Sequence, residues 1–340
     1  MFYHQEFGID LGTDTIKIYD KRSDRVDIEK NMIAVRNRQE IAAVGNAAYR
    51  IVGREPENVK VQVPMSSGKI NDILLVEAIL HTLLFQQKHY IGRRPDLFFS
   101  VPPDMTEIER RAYASIARRG KLRNCNIYLV EKPVADALSM GLAPRKTAGS
   151  MIVNIGACST ELSVISFSRV ILNRNINVCG NDIDARIVSS VRRKNSLFIS
   201  KKIAEELKIN LDLYKRNKSR SISLMGIDAD SGLPRNGIIT VANVEKAINQ
   251  SLPELASEIK KFMERIPPQI KKPVMEEGVH LCGGGSHIAG LEQYLKESLS
   301  CPVRISSQFQ FSTVNGLREI ISHSGKQNVS GYKDRRHKDE

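Results

Sequence analysis

The sequence predicts a two-lobe α/β fold with a duplicated core, and three observations carry that prediction. A strand–turn–strand unit, Phe7-Gly-Ile-Asp-Leu-Gly-Thr-Asp-Thr-Ile-Lys-Ile18, stands near the start of the chain. A unit of the same order recurs at Met151-Ile-Val-Asn-Ile-Gly-Ala-Cys-Ser-Thr-Glu-Leu-Ser-Val-Ile165. At 340 residues the chain exceeds one ordinary hydrophobic core, so two related halves accommodate it.

Each unit is an apolar strand, a turn of small and polar residues, and a second strand that alternates. Such a turn aims backbone N–H groups and hydroxyls at one point, which suits an anion such as phosphate. Gly12, Thr13, Asp14 and Thr15 make the first turn; Gly156, Ala157, Cys158 and Ser159 make the second. The carboxylate of Asp10 suits the hydrated magnesium that travels with a phosphate, not the bare anion. Asn154 holds the matching place in the second copy. A third turn, Gly283-Gly284-Gly285-Ser286-His287, follows an apolar run. It should lead into an amphipathic helix from about His287 to Leu299, with backbone free to approach a ligand. Each turn alone reads as an ordinary glycine cluster; the three in this order do not.

Between these landmarks the chain reads as follows. Met1 to Glu6 is a frayed terminus, or Phe2 and Tyr3 touch a membrane interface. Residues 31–70 hold short strands and turns, an inserted subdomain. Asp72 to Gln87 is a helix with a broad apolar face. The loop His89–Pro95 is either packed or a membrane contact, with Tyr90 and Ile91 entering the headgroups and Arg93 and Arg94 meeting anionic lipid. Asp96 to Pro102 is a strand. Thr106-Glu-Ile-Glu109 is a capping box opening a helix that Gly120 closes. Arg110, Arg111, Arg118, Arg119, Lys121 and Arg123 make a basic region, read as a solvated face or a protofilament or lipid contact. Ile127 to Glu131 is a strand, and Lys132-Pro133 opens a helix. Val244 to Ile266 is one long helix kinked at Pro253, its apolar stripe facing the core. Residues 326–340 are a polar tail expected to be disordered.

Composition narrows the function classes. No apolar run is long enough to span a bilayer, and no signal peptide is expected ahead of the first strand. The five cysteines lack metal or disulfide spacing, so reduced cytosolic thiols are the simpler reading. A net charge of +13 favours an anionic surface. With no aromatic-and-basic recognition motif beside that charge, lipid is favoured and no nucleic acid partner is expected.

The three turns resemble the two phosphate loops and the adenosine loop of the actin, sugar-kinase and heat-shock-chaperone ATPase superfamily. Within it the chain is similar, from about residue 7 to 320, to the MreB family of bacterial actins. Val44-Gly-Asn-Ala-Ala-Tyr49, Gly53-Arg-Glu-Pro-Glu-Asn58, Val101-Pro-Pro-Asp-Met-Thr-Glu-Ile-Glu-Arg-Arg111 and Ser231-Gly-Leu-Pro-Arg235 add to the match, as do Ile203-Ala-Glu-Glu-Leu-Lys-Ile209 and Glu264-Arg-Ile-Pro-Pro268.

The resemblance implies an actin-like two-lobe ATPase fold with four subdomains: IA (1–30, 65–147, 310–325), IB (31–64), IIA (148–180, 241–309) and IIB (181–240). It also implies ATP with Mg2+ in the cleft between lobes, the metal held through water by Asp10 and Asn154. Glu205, Glu206, Leu207 and Lys208 would contact ribose and adenine. The protein would be a homopolymer at the inner face of the cytoplasmic membrane, working with the cell-wall elongation machinery to direct cell shape.

Three residues depart from the family pattern. The glutamate that orients the attacking water is replaced by Lys132, with Glu131 one place earlier. Asn154 replaces an aspartate, and Ala157-Cys158 replaces two glycines. An ammonium cannot accept a proton from water but can pair with phosphate. The expectation is ATP binding with impaired hydrolysis, unless Glu131 substitutes through a small helix shift. Alternatives are a non-hydrolysing paralogue that modulates another filament, a small-molecule kinase, for which no acidic base is found, and a chaperone-like ATPase, for which no peptide-binding domain is expected.

Overall fold

The computed structural model describes residues 5–37, 39–66, 68–86, 95–116, 125–144, 146–210 and 221–323. The chain divides into two compact units, one made of Met1–Pro144, Ser168–Val170 and Phe311–Glu340, the other of Arg145–Phe167 and Ile171–Gln310.

In the first unit β1 (Glu6–Leu11) and β2 (Thr15–Asp20) form the predicted hairpin, which β3 (Arg25–Lys30) extends. β4 (Ile33–Arg36), β5 (Glu40–Val44), the short α1 (Asn46–Arg50) and β6 (Val59–Gln62) follow, their strands forming a sheet in the order β5-β4-β6. The two-residue strands β7 (Met65–Ser66) and β8 (Lys69–Ile70) lead to α2 (Ile73–Gln86). Asp72 stops just short of that helix and caps it, its Oδ1 accepting the N–H groups of Leu74 and Leu75 at 3.0 and 3.1 Å. β9 (Asp96–Val101), α3 (Glu107–Ile116), β10 (Asn126–Glu131) and α4 (Lys132–Ser139) complete the run. The capping box of α3 forms as expected, Thr106 N–H donating to Glu109 Oε2 at 2.8 Å and Glu109 N–H to Thr106 Oγ1 at 3.2 Å. Gly120, its expected end, lies outside the described residues, with Arg118, Arg119, Lys121 and Arg123.

The main sheet of this unit runs β10-β9-β1-β2-β3, with β9 parallel to β1 and β10 parallel to β9. Alternation sends Phe7, Ile9, Leu97 and Phe99 to one face, where they cluster with Ile79 and Leu80. Tyr19, Phe98 and Tyr128 point to the other, against Leu317 and Ile321. A sheet covered on both faces explains why its central strands read as nearly continuous apolar runs.

The second unit holds β11 (Ser150–Ile155), β12 (Thr160–Ser166), β13 (Arg169–Ile176, from Ile171 on), α5 (Gly180–Asn195), β14 (Leu197–Phe198), α6 (Lys201–Asn210), β15 (Ser221–Asp228) and β16 (Pro234–Thr240). α7 (Val241–Asn249), α8 (Leu252–Glu264), α9 (Pro268–Glu277), β17 (Val279–Cys282), α10 (Leu291–Leu299) and β18 (Val303–Ile305) complete it. α11 (Ser312–His323) then packs in the first unit.

The second sheet runs β13-β12-β11-β17-β18, β17 parallel to β11 and β18 parallel to β17. Read backwards, its order matches that of the first: hairpin, third strand beside it, two parallel strands on the far side. The duplication legible in the two hairpins thus extends through both sheets.

Two helix expectations are corrected. Val244 to Ile266 is not one kinked helix but α7 and α8, and Pro253 stands in the first turn of α8. A proline lacks the N–H that a first turn leaves unpaired anyway, so it starts the helix and does not bend it. The helix expected from His287 begins only at Leu291. Gly284–His287 is a separate 3-10 turn, and Gly290, at a φ of 86°, redirects the chain.

Candidate functional site

Each unit carries one of the two turns expected to receive phosphate. The first closes by Gly12 N–H donating to Thr15 C=O at 3.1 Å, the second by Gly156 N–H donating to Ser159 C=O at 2.9 Å. A Cβ on Gly12 would lie 2.6 Å from that carbonyl oxygen, and one on Gly156 2.8 Å from its counterpart. Both positions therefore require glycine, for one and the same contact.

In the first unit the register that closes the turn sets Asp10 opposite Lys17 on β2 and beside Ser100 on β9. Asp10 is buried, with Lys17 Nζ at 3.0 Å from Oδ2 and the Ser100 hydroxyl donating to Oδ1 at 2.9 Å. Burial pushes its carboxyl up, but the charges of Lys17 and Lys132 and the two hydrogen bonds hold it below the ordinary carboxylate range. Asp14 faces Lys30, Nζ to Oδ2 2.6 Å. The Thr13 hydroxyl accepts Gly68 N–H at 3.1 Å, and Asn31 Nδ2 donates to Gly12 C=O at 2.9 Å. Thr15 opens β2.

Glu131 ends β10 and is the residue before α4; Lys132 is the first residue of that helix and Pro133 the second. Burial raises the Glu131 carboxyl, with Arg110 pulling the other way. The charge of Lys132 reaches both Asp10 and the buried Tyr113.

In the second unit the turn abuts the start of α5. Gly180 N–H donates to Gly156 C=O at 3.0 Å and Asn181 N–H to Ala157 C=O at 2.9 Å. Asn181 Nδ2 also donates to Cys158 Sγ at 3.0 Å. Cys179 and Asp182 form a reciprocal cap there, and burial pushes the Cys179 thiol up to about 12, an unreactive group.

Lys208 of α6 is also buried. Its Nζ lies 2.8 Å from Asp184 Oδ1 and donates to Gly180 C=O at 3.2 Å. Glu205 is half-buried, Glu206 is exposed and Leu207 is core. Lys208, expected with Glu205 at ribose and adenine, is thus paired with Asp184 inside the unit.

The third turn lies against the second. Gly283, at a φ of 85°, would place a Cβ 2.5 Å from Asn154 Oδ1 and into the Ile155 carbonyl; a Cβ on Gly285 would strike the Ile155 side chain. Gly284 differs, since the nearest atom to its Cβ position is Gln310 Cβ at 3.8 Å. The Ser286 hydroxyl donates to Gly283 C=O at 2.6 Å. His287 stacks on Phe309 with centroids 3.8 Å apart, and burial lowers its pKa.

The structure thus gathers Asp10, Gly12 to Thr15, Glu131 and Lys132 in one unit. Asn154, Gly156 to Ser159, Lys208 and Gly283 to His287 belong to the other. Tyr90, Ile91, Arg93 and Arg94 lie outside the described residues, as do Phe2, Tyr3 and the 326–340 tail. Sequence reasoning missed Lys17 and Ser100. The signal for Lys17 was hairpin arithmetic: if Gly12 closes on Thr15, Asp10 must face Lys17.

For magnesium this is an adverse donor set. In the first unit both Asp10 oxygens are engaged and a lysine lies against each carboxylate of the turn; in the second unit Asn154 is an uncharged amide. Among the described residues no group of three or more His, Cys, Asp or Glu is placed to hold a metal ion. Nor, among them, is any helix long and apolar enough to cross a membrane.

The family model for the MreB/Mbl protein matches residues 4–329. The chain is 30% identical over 314 residues to the cell shape-determining protein Mbl of Bacillus subtilis, spanning 89% of this chain and 92% of that one. It is 30% identical over 335 residues to the cell shape-determining protein MreB of Escherichia coli, spanning 95% and 96%. Among solved structures it is similar to MreB 5 of Spiroplasma citri bound to AMPPNP, with a TM-score of 0.85 and 25% identity over 93% of this chain and 96% of that one. The MamK double helical filament shares the fold at a TM-score of 0.75 and 17% identity, over 94% and 99%. These likenesses bear out the actin-like fold expected from the sequence.

Proposed function

Because the chain belongs to the MreB/Mbl family, we propose that it is an ATP-binding bacterial actin homologue that forms filaments on the inner face of the cell membrane and directs cell shape and wall synthesis, with impaired hydrolysis. The observation that carries this reading is the repeated turn closure, Gly12 on Thr15 and Gly156 on Ser159, in two sheets of matching order. Each turn is a phosphate loop in kind, and the glycine turn at 283–285 supports an adenosine contact beside the second. The solved MreB 5 structures hold AMPPNP and ADP, which supports the same class of ligand here. The filament of a structural neighbour supports self-association. Membrane attachment rests on the net charge of +13 and on Tyr90, Ile91, Arg93 and Arg94.

Impaired hydrolysis rests on Lys132. In-line attack on a γ-phosphate needs a group that orients water by accepting its proton, and an ammonium has no lone pair for that. Glu131 has the right chemistry, but it stands one residue earlier, at the strand end. The same substitution favours a second reading, a non-hydrolysing paralogue that modulates another filament.

The test is ATP binding measured beside phosphate release, on the wild type and on Lys132→Glu. The expected result is wild-type binding with slow turnover, and a gain of about 10²-fold in phosphate release with the glutamate. Brisk wild-type turnover would mean that Glu131 or another group positions the water, and would end the impaired-hydrolysis reading.

A further inference from the structure

We infer that Phe309 contacts the base of the bound nucleotide, forming with His287 a stacked aromatic pair on which the purine ring lies. The inference rests on the ATP-binding reading above and adds to it a residue outside the three glycine turns.

The pair is built within the second unit. His287 ends the 3-10 turn that begins at Gly284, and Phe309 comes from the loop after β18. Their ring centroids are 3.8 Å apart and their planes 24° from parallel. The loop is pinned at two points. Ser306 N–H donates to Leu281 C=O at 2.8 Å, at the end of the β17–β18 pairing, and Gly283 N–H donates to Phe309 C=O at 3.2 Å. The second bond ties Phe309 directly to the third glycine turn.

Two features set the pair apart from core packing. Phe309 has a φ of 41°, in the left-handed region that bulky side chains rarely adopt. It is held there by its N–H donating to Ser306 C=O at 3.2 Å and by the bond from Gly283. Backbone conformations kept against their own cost cluster at ligand sites. Both rings are also half-buried, so the pair is not sealed into the interior. Burial lowers the His287 pKa, so at neutral pH the imidazole brings a π-face and not a charge.

The turn beside the pair has room for a base. A Cβ on Gly283 or Gly285 would strike Asn154 or Ile155, whereas at Gly284 the nearest atom is Gln310 Cβ at 3.8 Å. Gln310 follows Phe309, so the open side of the turn faces the loop that carries the ring. Asn154 and Ile155 lead straight into the turn at Gly156, and a base and its phosphates can thus be served within one unit. Stacking on an aromatic ring suits a purine because it needs only the π-face of the base.

The experiment is calorimetric titration of the full-length protein with ATP and with inorganic tripolyphosphate, on the wild type and on Phe309→Ala. The variant should bind ATP about tenfold or more weakly, with tripolyphosphate changed by less than about threefold. ATP binding within about threefold of wild type overturns the inference and leaves ATP binding in place. An equal loss for both ligands also overturns it, because Phe309 would then hold the turn and not the base. No ATP binding by the wild type overturns the ATP-binding reading itself, and this inference with it. Phe309→Trp tests the contact directly and serves if the alanine variant melts early, since the chain has no tryptophan of its own. Its ATP affinity should stay within about threefold of wild type, and its emission should be quenched by ATP but not by tripolyphosphate. Emission unmoved by saturating ATP would overturn the contact.

Discussion

At the scale of single residues, two buried ion pairs anchor the turns, and they predict different behaviour. Lys208 and Asp184 sit in the second unit with their side chains 5% and 3% exposed. Removing the lysine leaves a carboxylate stranded away from water, so Lys208→Ala should cost roughly 3–5 kcal/mol by denaturant titration. Lys208→Met combined with Asp184→Leu should recover most of that loss, because the charge and its partner leave together. If the double variant is as unstable as the single one, the pair does not explain the loss. Asp10 predicts a pH dependence. Its folded-state pKa is lowered, so its contribution to stability is complete above the unfolded value of about 4 and is lost as pH falls through the lower folded value. Acid titration of stability should therefore steepen below about pH 4 in the wild type, and Asp10→Asn should remove that part of the slope.

At the scale of elements, the crossing of α11 over α4 is set by one glycine. A Cβ on Gly316 would run into the carbonyl of Ala135, and neither helix backbone can yield without shifting the other. Thr313 Oγ1, one turn earlier, donates to the buried Asp136 at 2.6 Å and fixes the same contact. Gly316→Ala should destabilise by about 1–3 kcal/mol, whereas Gly284→Ala, which meets ordinary contact distances at a negative φ, should be nearly silent in thermal melts. Nothing around Gly316 in the sequence announces that crossing. The hairpins were legible because a period of two and a glycine turn are local signals, and the α3 capping box was legible for the same reason. The break between α7 and α8 was not. The apolar stripe from Val244 to Ile266 stays in phase across Gln250 and Ser251, and only the position of Pro253 marks a new start. Lys17 was hidden in a similar way, since a lysine in an alternating strand reads as solvent-facing until its cross-strand partner is counted. Ser100 could be found only by knowing that β9 lies beside β1, a pairing between residues 90 apart.

At the scale of the whole molecule, duplication gives each unit a turn of the same closure on a sheet of matching order, and the proposed function couples nucleotide to filament assembly. A ligand that binds one arrangement of two units better than another shifts the population toward it, and subunit contacts that prefer that arrangement then form more readily. Gly284→Arg tests the coupling well because position 284 has room for a Cβ, so the fold should survive while a long cation enters the turn where adenosine is proposed to bind. The expected outcome is an unchanged melting temperature without nucleotide, loss of ATP binding by calorimetry, and loss of sedimentable filaments. Filaments that assemble normally in this variant would separate polymerisation from nucleotide. The glycine turns would then serve some step other than assembly.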